Sequence, residues 1–295
     1  MIVVTGVSGA LGGAVLDGLR AVDGLEVAGA SSSGDGTAVR RADFDRPETL
    51  ETAFKGAEVL VFVSAGYAED DVVLARHRAV VRAATAAGVR HVIYTSLAAS
   101  GERLTIALAH RWTEARLAEA PFDVTVLRNG LYAEMPAELA LSGAGFAAEN
   151  GVFPAPFGQG RVSVVAREDL ADVAVRVAAE AWEDVKSGGA RRHAGRTYEL
   201  EGVDAVGGDE LAEVLSEVLG RPVTYLPVSL GDARPMLAGL EGYRAGHTVS
   251  TFANIGAGLL EAGHSDLPAF LPAPRPVRDL ITAAVKTGLR SWPAR

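Results

Sequence analysis

The sequence predicts an α/β fold with a Rossmann-type, doubly wound parallel sheet and a smaller α+β C-terminal lobe. Short, apolar, β-branched runs alternate with segments of helical periodicity, which is the pattern of repeated βαβ units. A glycine-spaced turn joins the first such run to the first helical segment. The alternation weakens after about residue 130. We therefore expect a Rossmann domain at 1–130, to which some later segments return, and a smaller lobe at 131–295.

The first strand leads directly into a turn that suits a phosphate group. Residues 2–5 form an apolar run typical of a buried parallel strand, and three glycines follow in the pattern Gly-x-x-Gly-x-x-Gly. Glycine lets the backbone turn sharply, approach a pyrophosphate and pack a helix closely on the strand, and the N–H groups of the helix start then face the anion. The alternative is a tight turn without a ligand. The predicted cofactor-binding residues here are Gly6, Val7, Ser8, Gly9, Ala10, Leu11 and Gly12.

The βαβ series continues along the first half of the chain. Strands are predicted at 25–30, 38–40, 58–63, 91–95 and 122–127, and helices at 47–54, 70–87 and 105–119. Repeated crossovers imply parallel strands with helices on both faces of the sheet.

The second half is less regular. Residues 151–164 contain two prolines and a Gly158-Gln159-Gly160 turn, which indicates a hairpin or loop. Helices are predicted at 167–182 and 208–219, and short strands at 197–200 and 223–227. A proline-rich connector at 268–276 precedes a last helix.

Composition and charge argue against several classes of function. No uninterrupted apolar run approaches the roughly 20 residues that cross a bilayer. With a strand at residue 2 and no charged-then-apolar leader, we expect a cytoplasmic protein that does not bind membranes. The chain has no cysteine and its six histidines lack ligand spacing, so no metal is expected. A net charge of −9, without a basic run that includes aromatics, argues against direct nucleic-acid binding.

Seven short segments together carry a family resemblance. They are VVTGVSGALGG at 3–13, RADFD at 41–45, VLVFVSA at 59–65, GVRHVIYTSL at 88–97, HRWTEARL at 110–117, VLRNGLYAE at 126–134 and RTYELEG at 196–202. In these segments the chain resembles the NmrA-like, atypical short-chain dehydrogenase/reductase family, and within it the bacterial type 2 NAD(P)H:quinone oxidoreductases. The resemblance implies a Rossmann domain, a small C-terminal lobe and a nicotinamide cofactor across the strand ends. It also implies Asp43 and Phe44 beside the adenine, and Ser64 and Ala65 along the ribose and nicotinamide half; ordinary strand-end structure is the alternative for these four residues.

The end of the second strand bears on the choice of cofactor. An acidic residue there would bond the ribose hydroxyls of NAD, but the chain has Ser31, Ser32 and Ser33. Hydroxyl and N–H groups can bind the 2′-phosphate that a carboxylate would repel. We therefore predict NADP(H) in preference to NAD(H), with Ser31 and Ser32 as cofactor contacts. The resembled family commonly places an arginine where Ser31 stands, and Arg40 or Arg41 could supply that charge from the next strand.

The catalytic prediction begins from an absence in the sequence. Conventional short-chain dehydrogenases use a Tyr-x-x-x-Lys pair to exchange a proton with the substrate oxygen. None of the six tyrosines here is followed four residues later by lysine. A quinone is already electrophilic and accepts a hydride with little acid assistance, so the absence fits quinone reduction better than alcohol oxidation.

The predicted catalytic residues are His110 and Glu114. They lie four residues apart and so share one face of the predicted helix, where the carboxylate could orient the imidazole or raise its pKa. By resemblance that face points to the nicotinamide. The lysine that the family has next in line is replaced by Ala115, followed by Arg116. An ordinary exposed His–Glu pair is the alternative.

Five further residues follow strand ends near the expected cleft. Thr95 and Ser96 could bond the nicotinamide ribose or the substrate, and we include them among the cofactor-binding residues. Asn129, Tyr132 and Phe153 are the predicted substrate-binding residues, with the two aromatic rings as walls for a planar acceptor. Plain core packing is the alternative for both rings.

The predicted function is hydride transfer from NADPH to a small-molecule acceptor of the quinone class, by a monomer or homodimer. Two alternatives remain open from the sequence. Some NmrA-like proteins bind NADP without turnover and act as redox sensors through protein partners. A dedicated reductase or isomerase could use the same cofactor on another substrate.

Overall fold

The chain forms two compact units in a computed structural model that describes residues 1–65 and 68–290. The first unit comprises Met1–Leu97, Ile106–Asn129 and Arg167–Leu200. The second comprises Ala98–Thr105, Gly130–Ala166 and the chain from Glu201 onward. Residues 167–200 are the later segment that returns to the first unit, and Ala98–Thr105 belongs to the second unit although it precedes residue 130.

The strands in chain order are β1 (Ile2–Thr5), β2 (Val27–Ser31), β3 (Arg40–Arg41), β4 (Val59–Phe62), β5 (His91–Leu97), β6 (Asp123–Asn129), β7 (Leu131–Tyr132), β8 (Val152–Ala155), β9 (Arg161–Val165), β10 (Arg196–Leu200), β11 (Asp204–Gly207) and β12 (Thr224–Pro227). The α-helices are α1 (Ala10–Arg20), α2 (Glu48–Ala53), α3 (Asp70–Ala86), α4 (Ala107–Ala118), α5 (Glu134–Asn150), α6 (Arg167–Ser187), α7 (Gly208–Leu219), α8 (Leu230–Ala233), α9 (Gly242–Gly256), α10 (Leu267–Phe270) and α11 (Val277–Arg290). Within the described ranges, no helix combines the length and the apolar character that a membrane span requires.

A seven-stranded parallel sheet organises the first unit. Its strand order is β3-β2-β1-β4-β5-β6-β10, and every neighbouring pair is parallel. The chain order reverses between β1 and β4, where Val4 pairs with Gly29 on one side and Val61 on the other. In such sheets ligands bind outside the carboxyl ends of the strands at this switch point. The predicted Rossmann-type, doubly wound sheet is confirmed.

Helices pack on the sheet because its central strands are apolar on both faces. All four residues of β4 are buried, as expected for a strand covered on both sides. Helix α1 packs against α6, and α3 packs against α2 and α4. The α1–α6 contact is close, since an added Cβ at Gly18 would lie 2.7 Å from Val175 Cγ2.

The second unit holds two small sheets with α5, α7 and α11 packed against one another. A hairpin at 151–164 is not formed, because the two strands in this segment join different sheets. Strand β8 pairs in parallel with β12, whereas β9 pairs with β11 and β7. The connecting turn at Gly160 lies directly against the Ile255 carbonyl of α9, which leaves no room for a side chain there.

His91 lies buried at the first residue of β5, at the edge of the sheet opposite the carboxyl ends. Thr125 donates its hydroxyl hydrogen to the His193 carbonyl at 2.7 Å, so it accepts from His91 Nε2–H at 2.8 Å. Burial lowers the pKa of His91 to about 4, with further lowering by the charges of His193 and Arg191 against the opposing charge of Asp184. The native fold therefore holds His91 neutral.

Because the pKa of His91 is lower in the folded state, acid should destabilise the protein through this residue. Above the ordinary pKa of 6.5 the contribution is fully present, and it is lost as the pH falls towards about 4, by at most about 1.4 kcal/mol per pH unit. His91→Gln can still donate to Thr125 but does not titrate. Urea unfolding at about pH 7.5 and about pH 5 should show a smaller acid loss in the variant than in the wild type. Equal losses would contradict the assignment.

Candidate functional site

The glycine turn leaves an open helix start at the carboxyl end of β1. Gly6 has a φ of 66°, and an added Cβ at Gly12 would overlap the Gly6 carbonyl oxygen and lie 2.9 Å from Thr5 O. Helix α1 has no capping side chain and no acidic residue in its first turn, and Ser8, Gly9 and Ala10 are exposed. The first N–H groups of this helix can therefore bind an anion, which the helix dipole also favours.

Two residues of the predicted turn point inward. Leu11 is buried in the core, and the half-buried Val7 donates its N–H to the Ala30 carbonyl at 3.4 Å. The Val7 backbone is thus held against β2, and the buried Leu11 side chain is not available to a ligand.

Strand β2 ends in a turn at residues 31–34, which we call the serine turn. Ser31 is buried, and its Oγ accepts the Ser33 N–H at 3.2 Å and lies 3.0 Å from Ser33 Oγ. Its carbonyl accepts the Gly34 N–H at 3.0 Å. Ser32 is exposed at the tip. The Ser31 side chain thus shapes the turn, and Ser32 faces the outside.

The two arginines on β3 have different environments. Arg40 donates from Nη1 to the carbonyls of Ala53 and Lys55 at 2.8 and 2.9 Å, which caps the end of α2. Arg41 pairs with Ser31 in the sheet register and is exposed, and within the described ranges its guanidinium has no hydrogen-bond or ion-pair partner. Arg41 is therefore the arginine with a free charge beside the serine turn.

Asp43 and Phe44 lie in the loop that follows β3. The Asp43 N–H donates to Thr49 Oγ1 at 2.9 Å, and its Oδ1 accepts the Asp45 N–H at 3.1 Å. The half-buried Phe44 ring packs edge-on against Phe62 at 5.9 Å between centroids. Both residues are half-exposed next to β2, so each has surface that a ligand could contact.

The backbone N–H groups of the segment after β4 donate to side chains of other elements. The Ser64 N–H donates to Thr95 Oγ1 at 2.9 Å, and the Ala65 N–H donates to His77 Nε2 at 2.9 Å. Ser64 and Ala65 are half-buried, whereas Thr95 is only 2% exposed. The Thr95 hydroxyl is thus engaged with Ser64, where the sequence had predicted a contact to the cofactor.

His110 pairs with a buried tyrosine. Its Nδ1 lies 2.9 Å from Tyr94 Oη. Burial and, to a smaller extent, the charge of Arg111 lower the pKa of His110 to about 4, against the opposing charge of Glu114. Burial also raises the pKa of Tyr94 far above its usual value. Both groups are therefore neutral at physiological pH.

Glu114 belongs to a partly buried charge network. Its carboxylate accepts from Ser96 Oγ at 2.5 Å, from Arg111 Nη1 at 2.8 Å and from Arg128 Nη2 at 2.6 Å. Arg128 also donates to Glu199 at 2.8 Å. Burial raises the pKa of Glu114, but the hydrogen bonds from Arg128 and Ser96 and the arginine charges outweigh it, so the net pKa is below the ordinary value.

The expected cooperation between His110 and Glu114 therefore differs from the observed geometry. Glu114 accepts hydrogen bonds from Ser96 and two arginines, whereas His110 is paired with Tyr94. The pKa of His110 is lowered instead of raised, because burial and Arg111 outweigh the carboxylate. A catalytic role for either residue stays a prediction, with His110 now a neutral group.

The three predicted substrate residues lie in different settings. Asn129 ends β6 and is 5% exposed, and its Oδ1 has no hydrogen-bond partner among residues 1–65 and 68–290. A buried acceptor without a donor is costly, so this oxygen suits a ligand that donates to it. Tyr132 is half-buried at the end of β7. Phe153 is fully buried and packs against Gly143 of α5, which supports core packing for this ring.

A family model described as NAD(P)H-binding matches residues 6–181, which is more than half of the chain and includes the glycine turn, His110 and Asn129. The chain belongs to this NAD(P)H-binding family. The matched segment begins directly after β1 and includes β4, the two strands on either side of the switch point, where a dinucleotide would lie.

Relatives and solved structures extend the match. Quinone oxidoreductase 2 of Escherichia coli (strain K12) is 34% identical over 79% of this chain and 79% of its own. The structure of an NADPH-dependent quinone oxidoreductase from Escherichia coli complexed with NADPH has a TM-score of 0.80 at 30% identity, covering 96% of this chain and 99% of its own. Citrobacter sp. triphenylmethane reductase complexed with NADP(H) has a TM-score of 0.83 at 29% identity, with the same coverage.

This NAD(P)H-binding chain is thus an oxidoreductase related to quinone oxidoreductase 2 and triphenylmethane reductase. The predicted membership in the NmrA-like reductases, the fold class and the enzyme class are confirmed. The residues fit the cofactor, because a side chain at Gly12 would overlap the Gly6 carbonyl and open the turn that leaves the first N–H groups of α1 available to a phosphate. Within residues 1–65 and 68–290, no group of three or more His, Asp or Glu side chains is placed to hold a metal ion.

Sequence reasoning missed the partners that decide the chemistry of the site. Tyr94 enters the sequence analysis only through the search for a Tyr-x-x-x-Lys pair, and Arg128 has no predicted role there. Tyr94 is in β5 and Arg128 in the neighbouring β6, and both side chains contact α4. The available signal was an arginine within an apolar strand, since such a charge needs a buried partner.

Substituting Gly12 should abolish cofactor binding. In Gly12→Ala the new methyl group would overlap the Gly6 carbonyl, so the turn must open and its N–H groups must move. We expect NADPH affinity to fall by about 100-fold or more, measured by isothermal titration calorimetry. Gly145→Ala is the matched control, because Gly145 also lies inside a helix and has open space around it. Unchanged affinity in Gly12→Ala would contradict the phosphate role of the turn.

Proposed function

We propose that this chain transfers a hydride from NADPH to a quinone-like acceptor. The observation that carries the proposal is the neutral Tyr94–His110 pair in a first unit built for a nicotinamide dinucleotide. A neutral pair can donate a hydrogen bond to an oxygen but is a weak proton donor. It therefore suits an acceptor that is already electrophilic. The names of the relatives, quinone oxidoreductase 2 and triphenylmethane reductase, support conjugated acceptors.

The acceptor oxygen is stabilised by hydrogen bonding in this proposal. When bound, NADPH supplies the hydride, and the quinone with that hydride and one proton from water becomes the hydroquinone. Tyr94 stays protonated and donates to His110 Nδ1, which leaves the hydrogen of the neutral ring on Nε2. The Nε2–H then donates to the oxygen on which negative charge develops.

The charge network supports the same site without taking part in proton transfer. Glu114 is ionised and engaged by Arg128, Arg111 and Ser96, so it neither accepts nor donates a proton near neutral pH. We assign it the role of fixing α4 relative to β5 and β6, which places His110. Asn129 Oδ1 is assigned to accept a hydrogen bond from the amide group of the nicotinamide carboxamide.

Cofactor choice is assigned to the serine turn and Arg41. The turn at Ser31 and Ser32 has no carboxylate to repel a 2′-phosphate, and the free guanidinium of Arg41 lies on the neighbouring strand in register with Ser31. A phosphate with two negative charges gains from such an arginine, whereas NAD has no group to use it. We therefore propose NADP(H) as the physiological cofactor.

Steady-state oxidation of NADPH and NADH with a panel of quinones tests the function. We expect turnover with quinones and higher kcat/KM for NADPH. Tight NADPH binding with no turnover on any acceptor would contradict the proposal and favour a cofactor-sensing protein. Turnover only with non-quinone acceptors would contradict the proposed substrate class but would support hydride transfer.

Removing the imidazole of His110 should slow the reaction. We expect His110→Ala to reduce kcat for quinone reduction by about 10- to 100-fold, because one hydrogen bond to the developing charge is lost. NADPH affinity should change little. His264→Ala, at an exposed histidine of the second unit, is the control. The same kcat in His110→Ala and wild type would show that the residue has no catalytic part.

Removing the charge of Arg41 should erase the preference for NADPH. We expect Arg41→Ala to raise KM for NADPH by about tenfold, the loss of one charge-assisted contact, and to leave KM for NADH unchanged. Arg196→Ala, at an exposed arginine that begins β10, is the matched control. An equal rise in KM for NADPH and NADH would show that Arg41 does not bind the 2′-phosphate.

A further inference from the structure

Three consecutive backbone N–H groups after β4 are bound by side chains from three different elements. Val63 N–H donates to Thr5 Oγ1 of β1 at 3.0 Å, and Ser64 N–H donates to Thr95 Oγ1 of β5 at 2.9 Å. Ala65 N–H donates to His77 Nε2 of α3 at 2.9 Å. The strand ladder has ended here, so these side chains replace the hydrogen bonds that the sheet no longer supplies.

The bound segment lies directly against the glycine turn. An added Cβ at Gly6 would meet Val63 Cβ at 3.4 Å, and β1 and β4 are paired neighbours on either side of the switch point. Any shift of residues 63–65 would therefore move the wall beside the phosphate-binding turn. Among the three anchoring side chains, that of His77 is the one on a helix, and neither the sheet nor the proposed chemistry otherwise requires it.

The hydrogen bonds of His77 define its tautomer. Thr113 donates its single hydroxyl hydrogen to the Ala109 carbonyl at 2.7 Å, so it must accept from His77 Nδ1–H at 2.7 Å. The Ala65 N–H requires an unprotonated Nε2. Both observations give the same neutral ring, with hydrogen on Nδ1 and a lone pair on Nε2.

The surroundings of His77 keep the ring neutral. The side chain is fully buried, and its ring packs against Phe62 at 5.1 Å and Tyr94 at 5.9 Å between centroids. Burial, with smaller contributions from His110 and Arg76, lowers its pKa to about 3. The lone pair on Nε2 is therefore available to Ala65 at neutral pH.

We propose that His77 is a positioning residue that holds the 63–65 segment in the shape that receives the nicotinamide half of the dinucleotide. The inference rests on the proposed cofactor placement at this strand edge. His77 acts through the Ala65 backbone and does not itself touch the cofactor. Thr113 serves it by fixing the tautomer.

Two amide variants separate this role from general packing. In His77→Gln the side chain is long enough for its carbonyl oxygen to accept the Ala65 N–H. In His77→Asn the same amide is shorter and can reach only the Thr113 side. We expect His77→Asn to weaken NADPH binding about tenfold, the effect of one lost hydrogen bond, and His77→Gln to stay within about threefold of wild type.

Calorimetric titration with NADPH, without any acceptor, measures this directly. Failure of quinone turnover would refute the proposed function but would leave the binding comparison intact. With a quinone present, KM for NADPH should rise in His77→Asn while kcat at saturation changes less. Equal affinity in both variants, whether as tight as wild type or equally weak, would overturn the positioning role.

Thr113→Val gives an independent reading if His77→Asn does not fold. It leaves the histidine in place but removes the acceptor for Nδ1–H, so the buried Nδ1–H is unpaired and only the Ala65 N–H still favours the required tautomer. We expect NADPH binding about threefold to tenfold weaker with the fold intact by circular dichroism. Wild-type affinity in a folded Thr113→Val protein would overturn the inference.

Discussion

Close packing of α1 on the end of β1 is the constraint on which the rest of the site depends. The helix can begin this close to the strand only because Gly12 has no side chain to meet the Gly6 carbonyl. This contact brings the first N–H groups of the helix to the switch point between β1 and β4. Val63 places the segment after β4 against the same turn. The positions of the helix start and of this segment therefore both depend on the conformation of the glycine turn.

Helix α4 carries a charged group and a neutral group four residues apart. Glu114 forms an ion pair with Arg128 in a partly buried network, whereas His110 and its partner Tyr94 are neutral. A buried ion pair contributes little net stability, because desolvation offsets the attraction. Its value here is geometric, since it ties α4 to two strands and so orients the neutral pair. Hydride transfer to an electrophilic acceptor needs orientation more than it needs a strong acid.

Sequence patterns correctly predicted those elements whose structure depends on neighbouring residues alone. The strand, glycine turn and helix at 2–20 could be predicted because spacing alone identifies them. The sequence predicted that some later segments return to the first unit, but it could not identify them as α6 and β10, because that depends on distant contacts such as Gly18 against Val175. In the site, the four-residue spacing of His110 and Glu114 placed them on one helix but could not reveal partners from β5 and β6. Burial, which no spacing reports, then reversed the expected pKa change of His110.

The most direct test of hydride transfer is a single-turnover experiment in which excess enzyme is mixed with a quinone and NADPH deuterated at the transferred position. The loss of nicotinamide absorbance and the fate of the deuterium are followed together. Hydride transfer at this site predicts one cofactor oxidised per quinone reduced, deuterium lost from the cofactor and a slower step than with unlabelled NADPH. Bound NADPH that is not oxidised by any quinone would contradict it.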